Sequence, residues 1–117
     1  MFVLRSTEMK SEEAKGAMIP SSSQGRIYRQ TPLTEDNAGV NLGIVYFNPG
    51  ARLNFHMHDF TQVLIFTAGV GIVATEKQEM VCTAGDIAVI PAGENHWHGA
   101  TEDAPCTHIA VFRGKLL

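Results

Sequence analysis

From Val40 onward the chain is a succession of short β-branched and aromatic runs separated by turn residues. That texture leaves little room for helix. Strands are expected over 40–48, 52–57, 61–68, 71–75, 80–83, 87–90, 96–100 and 107–112. Between them stand Asn48-Pro49-Gly50, the polar tip Glu76-Lys77-Gln78-Glu79, Ala84-Gly85-Asp86, Pro91-Ala92-Gly93-Glu94-Asn95 and the loop Thr101–Pro105. Regular short strands at this spacing predict an all-β barrel or sandwich. No repeat of 20–50 residues interrupts the pattern.

At 117 residues the chain makes one domain, large enough to bury about two-thirds of its unfolded surface. Residues 36–117 form the expected barrel and residues 1–35 an N-terminal arm. In the arm, Ser11–Lys15 is expected as one helical turn before Gly16 and Pro20, and 25–33 as a strand ending near Pro32. Such an arm covers the barrel or pairs with a second subunit. A net charge of −3 gives no case for nucleic acid or an anionic membrane as partner. No apolar run approaches the roughly 20 residues of a membrane span. Met1-Phe2-Val3-Leu4 is too short for a signal sequence and is interrupted by Arg5, so the expected location is cytoplasmic. Two cysteines, Cys82 and Cys106, are too few for a disulfide framework and read as small buried residues.

The chemistry gathers on the histidines. His56 and His58 are two apart on an expected strand, so they share a face about 7 Å apart and can converge on one cation. Arg52 and Asn54 have the same parity and are expected to orient an anionic or carbonyl substrate. Leu53, Phe55 and Met57 have the opposite one and read as wall packing. All five histidines, at 56, 58, 96, 98 and 108, fall on expected strands, which favours a metal site over scattered imidazoles. Phe60, Leu64 and Phe66, with Cys106 on the parity of His108, are expected to line an apolar pocket. Such lining suits a small substrate carrying one metal-binding oxygen.

The spacing of these residues resembles the cupin family. Gly50, five residues, His56-Met57-His58, three residues, Gln62, six residues and Gly69 is similar to the first cupin motif. Gly85, five residues, Pro91-Ala92-Gly93, two residues and His96 is similar to the second. The resemblance implies a double-stranded β-helix, or jelly roll, with His56, His58, Gln62 and His96 as metal ligands. Two positions depart from the pattern: Gln62 stands where the motif has Glu, and Ala100 where it has Asn. An amide in place of a carboxylate makes the ligand set neutral and leaves a divalent ion its full charge, a stronger Lewis acid.

Within that family, Glu94 to Ala100 together with Thr107-His108-Ile109-Ala110 resembles the small cupins that include manganese-dependent hydroxynitrile lyases, and cupins associated with carboxymuconolactone decarboxylases. This implies manganese as the favoured ion, with iron, nickel or zinc as options, and a homodimer or larger homo-oligomer. It also places His98 and His108 beside the metal as the catalytic pair. If Thr101–Pro105 closes a symmetric hairpin, His98 lies directly across from His108. Two adjacent imidazoles near a cation resist joint protonation, so one stays neutral as a general base. The expected reaction is cyanohydrin cleavage or formation. The alternatives are a quercetinase-like dioxygenase, an isomerase or decarboxylase, and a non-enzymatic metal-dependent binding protein.

Overall fold

A computed structural model gives the fold and describes residues 1–16, 18–20 and 25–115. The strands are β1 Glu12–Glu13, β2 Ile27–Leu33, β3 Asn41–Phe47, β4 Gln62–Thr75, β5 Glu79–Thr83, β6 Ile87–Ile90, β7 His96–Ala100 and β8 Cys106–Phe112. A single helical turn, α1 Glu35–Ala38, stands between β2 and β3, capped by Thr34 and Asn37 and ended by Gly39 in the left-handed conformation. Every pairing is antiparallel. The strands form the expected all-β jelly-roll arrangement, without full barrel closure. Among the described residues no helix is long and apolar enough to cross a membrane.

β4 organises the molecule. Its first half pairs with β6 and β8 in one sheet, and its second half with β5 and β7 in the other. The sequence led us to expect two strands here, and the structure joins them into one of 14 residues with a bend. The bend lies where the β8 register slips between Phe66 and Ala68, followed by Gly69 at φ 75°. A Cβ at Gly69 would overlap the Pro105 carbonyl, so only glycine lets the two chains approach this closely.

The first sheet runs β1-β2-β3-β8-β4, with β6 on the far side of β4. Pro32, which has no N–H to give a ladder, sits inside the register irregularity between Gln30 and Leu33. Residues 11–15 do not form the expected helical turn. Glu12–Glu13 instead pairs with Tyr28 and Arg29 as β1, with the Ala14 N–H donating to the Ile27 carbonyl at 2.8 Å. Gln30 fastens the first residues to this sheet: its amide donates to the Ser6 and Met9 carbonyls at 2.9 and 3.0 Å and accepts from the Tyr46 hydroxyl at 2.8 Å. Between the sheets Phe47, Phe66, Leu64, Cys106, Ile27 and Ile90 form the core. Each of the large apolar side chains contributes roughly 1.5–3 kcal/mol by leaving water. Both cysteines are free and buried, and burial pushes the Cys106 thiol up to about 11.

The segment 51–58 departs from its expected form. Instead of a strand it makes two bridges to β7, Arg52 to Gly99 and His56 to His96. From one bridge to the next the chain advances four positions on this side, Arg52 to His56, and three on β7, Gly99 to His96, so one extra residue is accommodated. The Asn54 N–H turns to the Met18 carbonyl at 2.8 Å, and the Asn54 carbonyl turns to the His56 ring. This bulge reverses the side-chain parity upstream of His56.

Candidate metal centre

The bulge delivers His56 to β7 in a doubly bonded pair: His56 N–H donates to the His96 carbonyl at 2.8 Å and His96 N–H to the His56 carbonyl at 2.9 Å. Their rings therefore stand side by side, with centroids 4.3 Å apart, and His58 follows at 4.9 Å from His56. The ligand nitrogens of His56, His58 and His96 lie within 4.8 Å of one another. Gln62 opens β4 and is 5% exposed. Phe60 stacks on His58 at 4.8 Å and on Phe112 at 5.1 Å, fixing the ring of the least buried ligand.

Backbone carbonyls set the tautomers. His56 Nδ1 lies 2.7 Å from the Asn54 carbonyl and His96 Nδ1 2.9 Å from the Glu94 carbonyl. A carbonyl only accepts, so Nδ1 carries the proton in both rings and Nε2 keeps its lone pair. Those two Nε2 atoms and Gln62 Oε1 are buried and have no hydrogen-bond partner. Unsatisfied buried acceptors of this kind are costly unless something binds them. Three imidazoles and an amide oxygen fit a divalent transition-metal ion. Burial also holds these rings neutral: desolvation lowers His56 to about 4, and lowers His58 and His96.

Behind this cluster lies the second pair. His108 Nε2 meets His98 Nδ1 at 3.1 Å, and neither ring is more than 4% exposed. The expected hairpin is not what joins them. Thr101–Pro105 carries the chain from one sheet to the other, so His98 faces Val73 of β4 while His108 faces Val45 and Phe66. The two rings meet across the space between the sheets. His98 is the nearer to the cluster, its ring 5.6 Å from His56 and 5.8 Å from His96. His98 Nε2 and His108 Nδ1 are buried without partners.

Burial drives both of these rings toward neutrality, His98 well below its ordinary value and His108 down to about 4 from 6.5. An unfolded chain then takes up the proton first as pH falls. The metal-free protein should therefore lose stability between about pH 6.5 and about pH 4, by on the order of 3 kcal/mol for His108 alone. Urea midpoints of metal-stripped protein, followed from about pH 7 to about pH 4.5, would show this slope, and a flat profile would refute it.

A cavity of about 770 Å³ opens onto both groups. His56, His58, Gln62, His98 and His108 line it, as do Leu53, Val45, Leu42, Ala110 and Phe112. The residues expected to bind substrate fall elsewhere. Because the bulge reverses parity, Leu53 turns inward, while Arg52 is exposed with its guanidinium 4.3 Å over the Trp97 ring. Asn54 contributes backbone contacts to Met18 and His56. Leu64, Phe66 and Cys106 are at most 1% exposed and lie in the core, with Phe66 edge-on to His108 at 5.4 Å. Residues of the first forty also line the cavity, among them Lys15, Met18, Ile19 and Arg29, none of which we expected there from the sequence. The alternation Ile27, Arg29, Thr31 was the available signal for β2.

Comparisons with known proteins agree with this geometry. A family model described as "Cupin domain" matches residues 43–112. An (R)-mandelonitrile lyase from Granulicella tundricola is 41% identical over 77 residues, 65% of this chain and 59% of that protein. An acireductone dioxygenase from Frankia alni is 31% identical over 72 residues, 56% of this chain and 35% of that protein. The chain thus spans less than two-thirds of the length of the first and about a third of the second. Among solved structures, a cupin-like protein from Thermotoga maritima is 31% identical with a TM-score of 0.71, over 84% of this chain and 77% of that one.

Proposed function

This chain belongs to the cupin domain family, and on that premise we propose that it is a metal-dependent carbon–carbon lyase of the hydroxynitrile-lyase type. It would cleave a cyanohydrin to an aldehyde and cyanide, or join them in reverse. The observation that carries this reading is the bonded His98–His108 pair set behind the His56–His58–His96 cluster, with Gln62 lining the same cavity. A divalent ion, with manganese favoured, would be held by His56, His58, His96 and Gln62 and would supply a Lewis acid for the substrate oxygen.

The protein's own groups move the proton. A neutral His98 that donates from Nδ1 to His108 Nε2 keeps a lone pair on Nε2, which is buried without a partner. That nitrogen takes the cyanohydrin hydroxyl proton, and His98 passes its Nδ1 proton toward His108. The oxygen's electrons form the carbonyl as the carbon–carbon bond breaks, and cyanide departs with the bonding pair. The proton returns along the pair to cyanide, releasing hydrogen cyanide and restoring both rings. Burial keeps the rings unprotonated near neutral pH, so the base is ready without prior deprotonation.

The likeness to the mandelonitrile lyase supports the substrate class. The test is release of benzaldehyde from mandelonitrile by manganese-loaded protein, abolished by a chelator and restored by manganese. Fully loaded protein without turnover would remove the lyase. The likeness to the dioxygenase supports a second chemistry on the same cluster. Oxygen uptake by iron-loaded protein with an enediol substrate would distinguish it.

A further inference from the structure

The cavity wall is electrically one-sided. Among the described residues Lys15, Arg29 and Lys115 line it and no aspartate or glutamate does, although the chain has twelve aspartates and glutamates to nine lysines and arginines. All three side chains are exposed, and of the three only Arg29 stands on a strand, where the pairing register fixes its face. It stands opposite Val45, Val45 stands opposite His108, and His108 stands opposite Phe66, so the four form one row across β2, β3, β8 and β4. Directly opposed residues project to the same side of a sheet, and Arg29 therefore shares the face of His108 two strand spacings away, about 10 Å. Glu12 faces Arg29 across β1 and β2, yet it is not part of the cavity wall, and the ion pair in this region joins Glu13 to Arg26 at 3.6 Å. Between Arg29 and the histidines the wall is apolar, formed by Ile27, Leu42, Val45 and Ala110.

We propose that the cavity selects a small carboxylic acid, its carboxylate held at Arg29, its reacting oxygen at the histidine end and an apolar body between. The orientation rests on the lyase reading above, because that reading puts the reacting oxygen beside His98. A guanidinium recognises a carboxylate with two parallel hydrogen bonds, and among the described residues the carboxylate nearest in register, Glu12, is not part of the cavity wall. The neutral ligand cluster works in the same direction, since an ion held there keeps its full positive charge and favours an anionic guest.

Calorimetric titration of manganese-loaded protein with benzyl alcohol and with para-(hydroxymethyl)benzoate tests this, because the two differ only in the carboxylate and neither reacts. The acid should bind about ten-fold more tightly. Arg29→Gln should bring the two affinities together, and Arg29→Lys should keep part of the difference. Equal affinities in the wild type, or a preference that survives Arg29→Gln, would overturn the proposal. Preference for the acid without mandelonitrile turnover removes the lyase and leaves the carboxylate site standing. Turnover with equal affinities does the reverse.

Discussion

Replacing His98 with alanine should lower mandelonitrile turnover by about 10²- to 10⁴-fold, the range lost with a positioned general base, while manganese content stays at the wild-type level. The separation is possible because His98 belongs to the cavity but not to the trio of nitrogens within 4.8 Å. His108→Ala should also cost turnover, since it removes the only hydrogen-bond partner of His98 Nδ1 among the described residues. Without that acceptor the proton on Nδ1 has nowhere to pass, and the ring is free to present the wrong tautomer. The two losses should not add: the double variant should be about as slow as His98→Ala alone, as for residues acting as one unit. Both rings are buried, so each variant leaves a cavity and some loss of thermal stability is expected. Turnover is therefore compared at a temperature where circular dichroism shows all variants folded. Unchanged turnover in His98→Ala would dismiss the base.

The same pair marks where sequence reasoning stops. Strands such as 87–90 and 96–100 are legible because local composition and flanking turns decide them, and the structure has them at those bounds. The convergence of His56 and His58 is legible because two histidines one residue apart constrain each other's direction wherever the strand goes. Pairing partners are a different matter. Thr101–Pro105 looks like a hairpin loop, yet β7 and β8 both find β4, one on each side of its bend. That choice depends on Gly69 passing close to Pro105, a contact between residues 36 apart in sequence that no local pattern carries. The His98–His108 contact is reached by either route, through a different geometry.

Arg52 shows the opposite failure. Strict alternation assigns it to the face of His56, and one bulged residue sends it over Trp97 instead. The bulge is stabilised by the Asn54 backbone, whose N–H goes to Met18 in the arm. A remote segment thus sets the parity of the motif, and it brings Arg29, Lys15 and Met18 to the cavity at the same time.

His96→Ala should abolish metal binding and, with it, the stabilisation that metal gives. In the wild type, three buried acceptors of the cluster lack partners: His56 Nε2, His96 Nε2 and Gln62 Oε1. An ion that satisfies them binds the folded chain and has no preorganised site in the unfolded one. Free metal at about a hundred times its dissociation constant should therefore raise stability by about 2.7 kcal/mol. For a domain of this size that is a shift of roughly 10 °C or more in melting temperature, reversed by a chelator. His96 is the central loss because its backbone clasps His56 and it is the most buried residue of the three. The backbone clasp survives substitution by alanine, so the metal-free variant should keep the fold and melt within a few degrees of the metal-free wild type. The cost of the vacated ring volume is partly offset by removal of an unsatisfied acceptor. A variant that still gains stability on adding manganese would show that the ion sits elsewhere, and the chemistry assigned to His98 would then lose its neighbour.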